Sequence, residues 1–139
     1  MWLLRAVGLG LVTAGLGHAW LPRGLGWARD THREGGPVSA LVIRMHVWAV
    51  GLFLIGIGVC TIVGARELLT GERLSVALLA SAVIIFALRW AAEIVWVSRA
   101  LRSARYQRSP WRLLHAAALV IWPVITGTYL AALLVNLSG

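Results

Sequence analysis

Lysine is absent from this 139-residue chain, aspartate and glutamate together number five, and cysteine occurs once. With the lone Cys60 no intramolecular disulfide can form, so no disulfide framework organises the fold. Lying inside an apolar run, Cys60 is expected to be a small buried packing residue. None of GxSxG, HExxH, CxxC, a P-loop or a dinucleotide fingerprint occurs, which sets aside a soluble-style hydrolase. The five acids, Asp30, Glu34, Glu67, Glu72 and Glu93, stand against thirteen arginines and give a formal net charge of +8. In a soluble protein such an excess would point to nucleic acid. Where these arginines sit argues for no nucleic acid partner.

Apolar residues are what the chain does have. They make up 60% of it, against 13% charged residues, far from the balance of about half apolar and a quarter charged found in soluble domains. Crossing a hydrocarbon core roughly 30 Å thick takes about 20 apolar residues. Four runs meet that need: Trp2 to Trp20, Ala40 to Ala65, Leu74 to Ser98 and Leu113 to Leu137. The expected architecture is therefore an all-α, four-transmembrane-helix up-down bundle, with residues 1–139 forming a single domain. The first run followed by Gly17-His18-Ala19 also imitates a signal peptide with a small-x-small cleavage site. The run is long, and the basic loop follows it rather than precedes it, which favours a retained span.

The arginines set the expected orientation. Arg99, Arg102, Arg105, Arg108 and Arg112 crowd the third connection, and Arg23, Arg29, Arg33 and Arg44 flank the first, whereas the second mixes Arg66 and Arg73 with Glu67 and Glu72. The positive-inside rule then places connections one and three in the cytoplasm and both termini outside, for a multi-pass protein of a bacterial inner (cytoplasmic) membrane. The expected partners are the bilayer itself, anionic lipid at the Arg-rich third loop, and other membrane subunits or further copies of the chain. Within the first connection, Pro22, Gly24, Gly26, Gly35, Gly36 and Pro37 predict an irregular segment that no long helix crosses. The third connection is expected to prolong the third helix before Ser109-Pro110 starts the fourth.

Seven-residue glycine spacing, Gly8 with Gly15, Gly10 with Gly17 and Gly51 with Gly58, predicts close approach of helix backbones. A few polar groups break the apolar runs. With a rise of about 1.5 Å per residue from the expected cytoplasmic end, His46 lies roughly 10 Å in, His115 roughly 5 Å, Glu93 roughly 9 Å and Arg89 roughly 15 Å. His18 and Arg44 stand near the same end, and the outer half is read as holding only hydroxyls, amides and glycine among its polar groups. His115, Trp122, Thr126 and Tyr129 fall on one stripe of the fourth span.

Ionisable residues inside a membrane face the bundle interior or a cavity and pair with one another. His46, Arg89, Glu93 and His115 are therefore the expected site, with Arg44 and Tyr129 beside it. Two histidines on different helices of a bundle are the arrangement that supplies axial ligands to haem b. Arg44 and Arg89 would suit haem propionates or a quinone carbonyl, and Glu93 a proton exchange. A variant in which His46, His115 and Glu93 hold a non-haem metal matches the two-His-one-carboxylate set. Plainer readings stand beside these. Arg89 and Glu93 can be a structural pair that fixes register, the histidines interfacial residues, and Arg44 a topology determinant. Alternatives to a redox subunit are a non-enzymatic accessory or assembly subunit, and a small proton-coupled carrier titrating at Glu93.

A first span ending at Trp20-Leu21-Pro22, a second opening on MHVW, a third containing LRWAAE and a fourth running LLHAAALVIWPVITGTYLAAL resemble a family of bacterial four-helix integral membrane proteins of unknown activity. The resemblance covers most of the chain. It implies the same four-span architecture and directs attention to His46, Arg89, Glu93, His115 and Tyr129.

Overall fold

The computed structural model describes residues 1–24, 27–97 and 111–138, without the side chains of 19, 21–24, 27–40, 43, 96, 97, 111, 112, 114 and 115. Four helices carry almost all of it: α1 (Trp2–Gly24), α2 (Trp27–Val63), α3 (Arg73–Ala92) and α4 (Trp111–Ser138). A 3₁₀ turn, Glu67–Leu69, precedes α3, and a π-helical turn, Glu93–Val97, follows it. No strand occurs among the described residues. Among the described residues, three stretches are long and apolar enough to cross a bilayer, Arg44–Val63, Arg73–Val95 and Ala116–Ser138, so the protein is membrane-embedded. The expected first span, Trp2 to Trp20, lies within α1, whose described side chains are interrupted at residue 19.

Contacts divide the chain into two compact units, Met1–Ala65 and Arg66–Gly139. The first is the α1–α2 hairpin. On α1 the buried seam runs through Leu4, Val7, Leu11 and Gly15; on α2 it runs through Val47, Gly51, Leu54, Gly58 and Thr61. Steps of three and four residues keep one face of each helix turned to the other. Glycine sets the separation. A Cβ on Gly8 would lie 2.7 Å from the Gly58 carbonyl oxygen, and one on Gly15 would lie 2.6 Å from that of Gly51. A step of seven along α1 is thus matched by a step of seven back along α2, the register of an antiparallel pair in backbone contact. Gly10 and Gly17, expected to behave alike, instead face open space.

In the second unit, Ser75, Leu79, Phe86 and Glu93 form the buried seam of the α3 segment, and Trp122, Ile125, Thr128, Tyr129 and Ala132 that of α4. A knot of hydrogen bonds closes one end. The Glu67 carbonyl accepts from the Thr70 hydroxyl at 2.8 Å and the Ser75 hydroxyl at 2.7 Å. From α4, Asn136 Nδ2 donates to the Leu68 carbonyl at 2.7 Å. Gly71, with φ +73°, turns the chain into α3, a conformation that costs other residues energy.

Three expectations are corrected. The Gly35-Gly36-Pro37 stretch is helical, because α2 begins at Trp27 and runs unbroken to Val63. Glycine and proline impose penalties of roughly 1 and 3 kcal/mol rather than prohibitions, and only residues 25 and 26, outside the description, separate α1 from α2. Cys60 is exposed rather than buried, because it falls between Gly58 and Thr61 and so off the buried seam of α2. Finally, ionisable groups are not confined to one end of the spans. Arg5 stands at the end of α1 opposite His18, half-buried, with its guanidinium 5.5 Å from the Trp2 ring centroid. The third connection, including Arg99, Arg102, Arg105 and Arg108, lies outside the described residues.

Candidate functional site

The polar centre of the second unit follows from the seven-residue rhythm of α3. Leu79 and Phe86 are buried about two helical turns apart on the seam, and the next position in that rhythm is Glu93. Its carboxylate is therefore carried inward by the same periodicity that buries leucine and phenylalanine, and only 1% of the residue is exposed. Its counterion comes from one turn back. Arg89, four residues earlier and so on the same helix face, places Nη1 2.5 Å from Glu93 Oε2, while its side chain remains 47% exposed. At this point the helix changes pitch. The Glu93 backbone N–H is shared between the carbonyls of Arg89 and Trp90, and the π-helical turn begins. Such insertions are frequent at functional sites.

Across from this pair, α4 presents Trp122. The Arg89 guanidinium carbon lies 5.3 Å from the indole centroid, close enough for cation–π attraction. Phe86 continues the column: its ring lies 5.8 Å from that of Trp122, tilted by 17°, and 5.7 Å from that of Tyr129, tilted by 9°. The sequence Glu93, Arg89, Trp122, Phe86, Tyr129 is thus a continuous run of contacts drawn from two helical segments. The indole N–H of Trp122 is buried and has no hydrogen-bond acceptor among the described residues. A buried donor left in that state costs about 1–3 kcal/mol. Thr126, half-buried, spends its hydroxyl on the Trp122 carbonyl at 2.8 Å.

Of the residues expected at the site, the structure brings Arg89 and Glu93 into direct contact and joins Tyr129 to them through Phe86 and Trp122. Arg44 and His46 stand exposed on α2, in the first unit. His18, half-buried on α1, directs Nδ1 to the Ala14 carbonyl at 2.8 Å and donates to it. His115 belongs to α4, and its side chain lies outside the described residues, so the paired histidine ligands and the two-His-one-carboxylate set are not described as a site. Among the described residues no three His, Cys, Asp or Glu side chains gather as a metal set would require.

Phe86 was not singled out from the sequence, and Trp122 only as part of a stripe. The signal that would have found both is the seven-residue spacing itself, 79, 86 and 93 on α3 against 122 and 129 on α4. A charge in register with two core positions must share their environment. The chain matches no family model, no curated protein and no solved structure.

Proposed function

We propose that this is a multi-pass protein of a bacterial inner membrane, crossing it four times with both termini outside, whose intramembrane polar site binds a redox cofactor, haem b or a quinone. The observation that carries the reading is Glu93: a carboxylate fully buried in an apolar span and paired with a half-exposed arginine. Each charge placed at the centre of a spanning helix costs about 2.5–3.5 kcal/mol on the insertion scale. Pairing returns little of that, since a buried ion pair is often no better than an apolar replacement. A site with aromatic walls, a half-exposed cation and an uncommitted indole donor gives the charges a use.

Two further observations support the placement. The Gly8–Gly58 and Gly15–Gly51 contacts lay α1 alongside Arg44–Val63 of α2, so α1 crosses the bilayer together with that stretch. Arginine crowding in the first and third connections supports their cytoplasmic side and contact with anionic lipid there.

The test is an absorption spectrum of protein purified in mild detergent, with and without dithionite, together with titration by decylubiquinone. A Soret band that shifts on reduction supports haem. A colourless protein that binds decylubiquinone supports a quinone site. A colourless protein that binds neither and co-purifies with other membrane subunits overturns the proposal in favour of an accessory or assembly role. Glu93-dependent uptake in proteoliposomes without any cofactor overturns it in favour of a proton-coupled carrier.

A further inference from the structure

We infer that the ligand of the second unit is a quinone headgroup, and that Trp122 recognises it by donating its indole N–H to a quinone carbonyl beside Arg89. This rests on the cofactor reading above and narrows it to one ligand class and one donor. Trp122 is nine-tenths buried, its ring is engaged by Phe86 and by the Arg89 guanidinium, and its N–H has no acceptor among the described residues.

The charge balance selects the kind of acceptor. Arg89 already neutralises Glu93, so the pair presents no net charge to an incoming group. An anion such as a lipid phosphate would draw Arg89 away and leave Glu93 buried without its counterion, the arrangement most costly for an ion pair. A neutral carbonyl makes no such demand. It accepts from the indole N–H and from the outer guanidinium N–H groups while Arg89 Nη1 stays on Glu93. The route in is lateral. Arg89 is half-exposed on a span, and its long side chain is the movable group covering the indole. A molecule that already resides in the bilayer reaches it there, and quinones are lipid-soluble dicarbonyls.

The experiment measures decylubiquinone binding to the full chain in nanodiscs of zwitterionic phosphatidylcholine, with wild type, Trp122→Phe and Arg89→Lys compared. Phenylalanine keeps a ring against Phe86 and removes only the donor. The expected result is a dissociation constant raised about tenfold in Trp122→Phe, equivalent to about 1.4 kcal/mol. In the wild type alone, decylubiquinone should shift the ultraviolet resonance Raman band of one indole N–H to its hydrogen-bonded position. Should Trp122→Phe fail to fold, the wild-type Raman shift and a weakened Arg89→Lys decide the matter. Unchanged affinity in a folded Trp122→Phe overturns the inference, and so does an indole already hydrogen-bonded in quinone-free nanodiscs, or one that responds to phosphatidylglycerol instead. A haem Soret band without quinone binding defeats this inference while sparing the cofactor reading; absence of both defeats the two together.

Discussion

Substituting Gly15 by alanine isolates the backbone contact that holds α1 to α2. The new Cβ would sit 2.6 Å from the Gly51 carbonyl oxygen and from Ile55 Cγ1, and 3.0 Å from the Ile55 backbone nitrogen. Ordinary van der Waals contact begins at 3.4 Å, so the two helices must separate locally by about 0.8 Å. Two of the three obstacles are backbone atoms, which cannot rotate aside. Overpacking of this kind costs about 1–3 kcal/mol, and in a membrane the loss falls on the van der Waals packing that drives helix association. The control is two residues away. Gly17 faces open space, so Gly17→Ala should be neutral or stabilising by up to about 1 kcal/mol, the gain in helix propensity. Reversible unfolding in rising mole fractions of sodium dodecyl sulfate, followed by far-ultraviolet circular dichroism, reads the difference. Gly15→Ala should lower the midpoint while Gly17→Ala leaves it or raises it. Equal shifts in the two variants would refute the backbone-contact argument.

Three further outcomes are expected. Arg89→Ala leaves the buried Glu93 carboxylate without its counterion and should destabilise by about 3 kcal/mol, the lower end of the range for breaking a buried pair because the arginine is half-exposed; Glu93→Gln, which leaves a charge able to reach out of the core, should cost about 1 kcal/mol. The same detergent titration measures both, and the order of the two variants is the test. Asn136→Ala removes the bond to the Leu68 carbonyl and should cost about 1 kcal/mol, with faster amide exchange confined to residues 67–70. Gly71→Ala forces φ +73° on a side-chain-bearing residue and should cost about 1–2 kcal/mol, whereas Gly127→Ala, with no neighbour to meet, should not destabilise.

Composition and run length alone determined that the chain is helical and lives in a membrane, because apolar runs of about 20 residues match a spanning helix, which satisfies all its backbone hydrogen bonds within one segment, whereas a barrel strand needs about half that length. The Arg89–Glu93 pair was also legible, since a spacing of four on one helix leaves two opposite charges within reach whatever surrounds them. Glycine spacing flagged Gly8, Gly15, Gly51 and Gly58 correctly and Gly10 and Gly17 wrongly, because a period of seven marks a face without saying whether another helix lies against it. Only the tertiary structure decided that Cys60 points outward, that α2 continues through Gly35-Gly36-Pro37, and that Glu93 rather than Arg89 takes the buried position. The first and last depend on which stripe of a helix is covered, and that is a property of the packed pair, since a uniformly apolar helix offers no polar face to reveal its orientation; the continuation of α2 depends on glycine and proline costing helix stability without forbidding it.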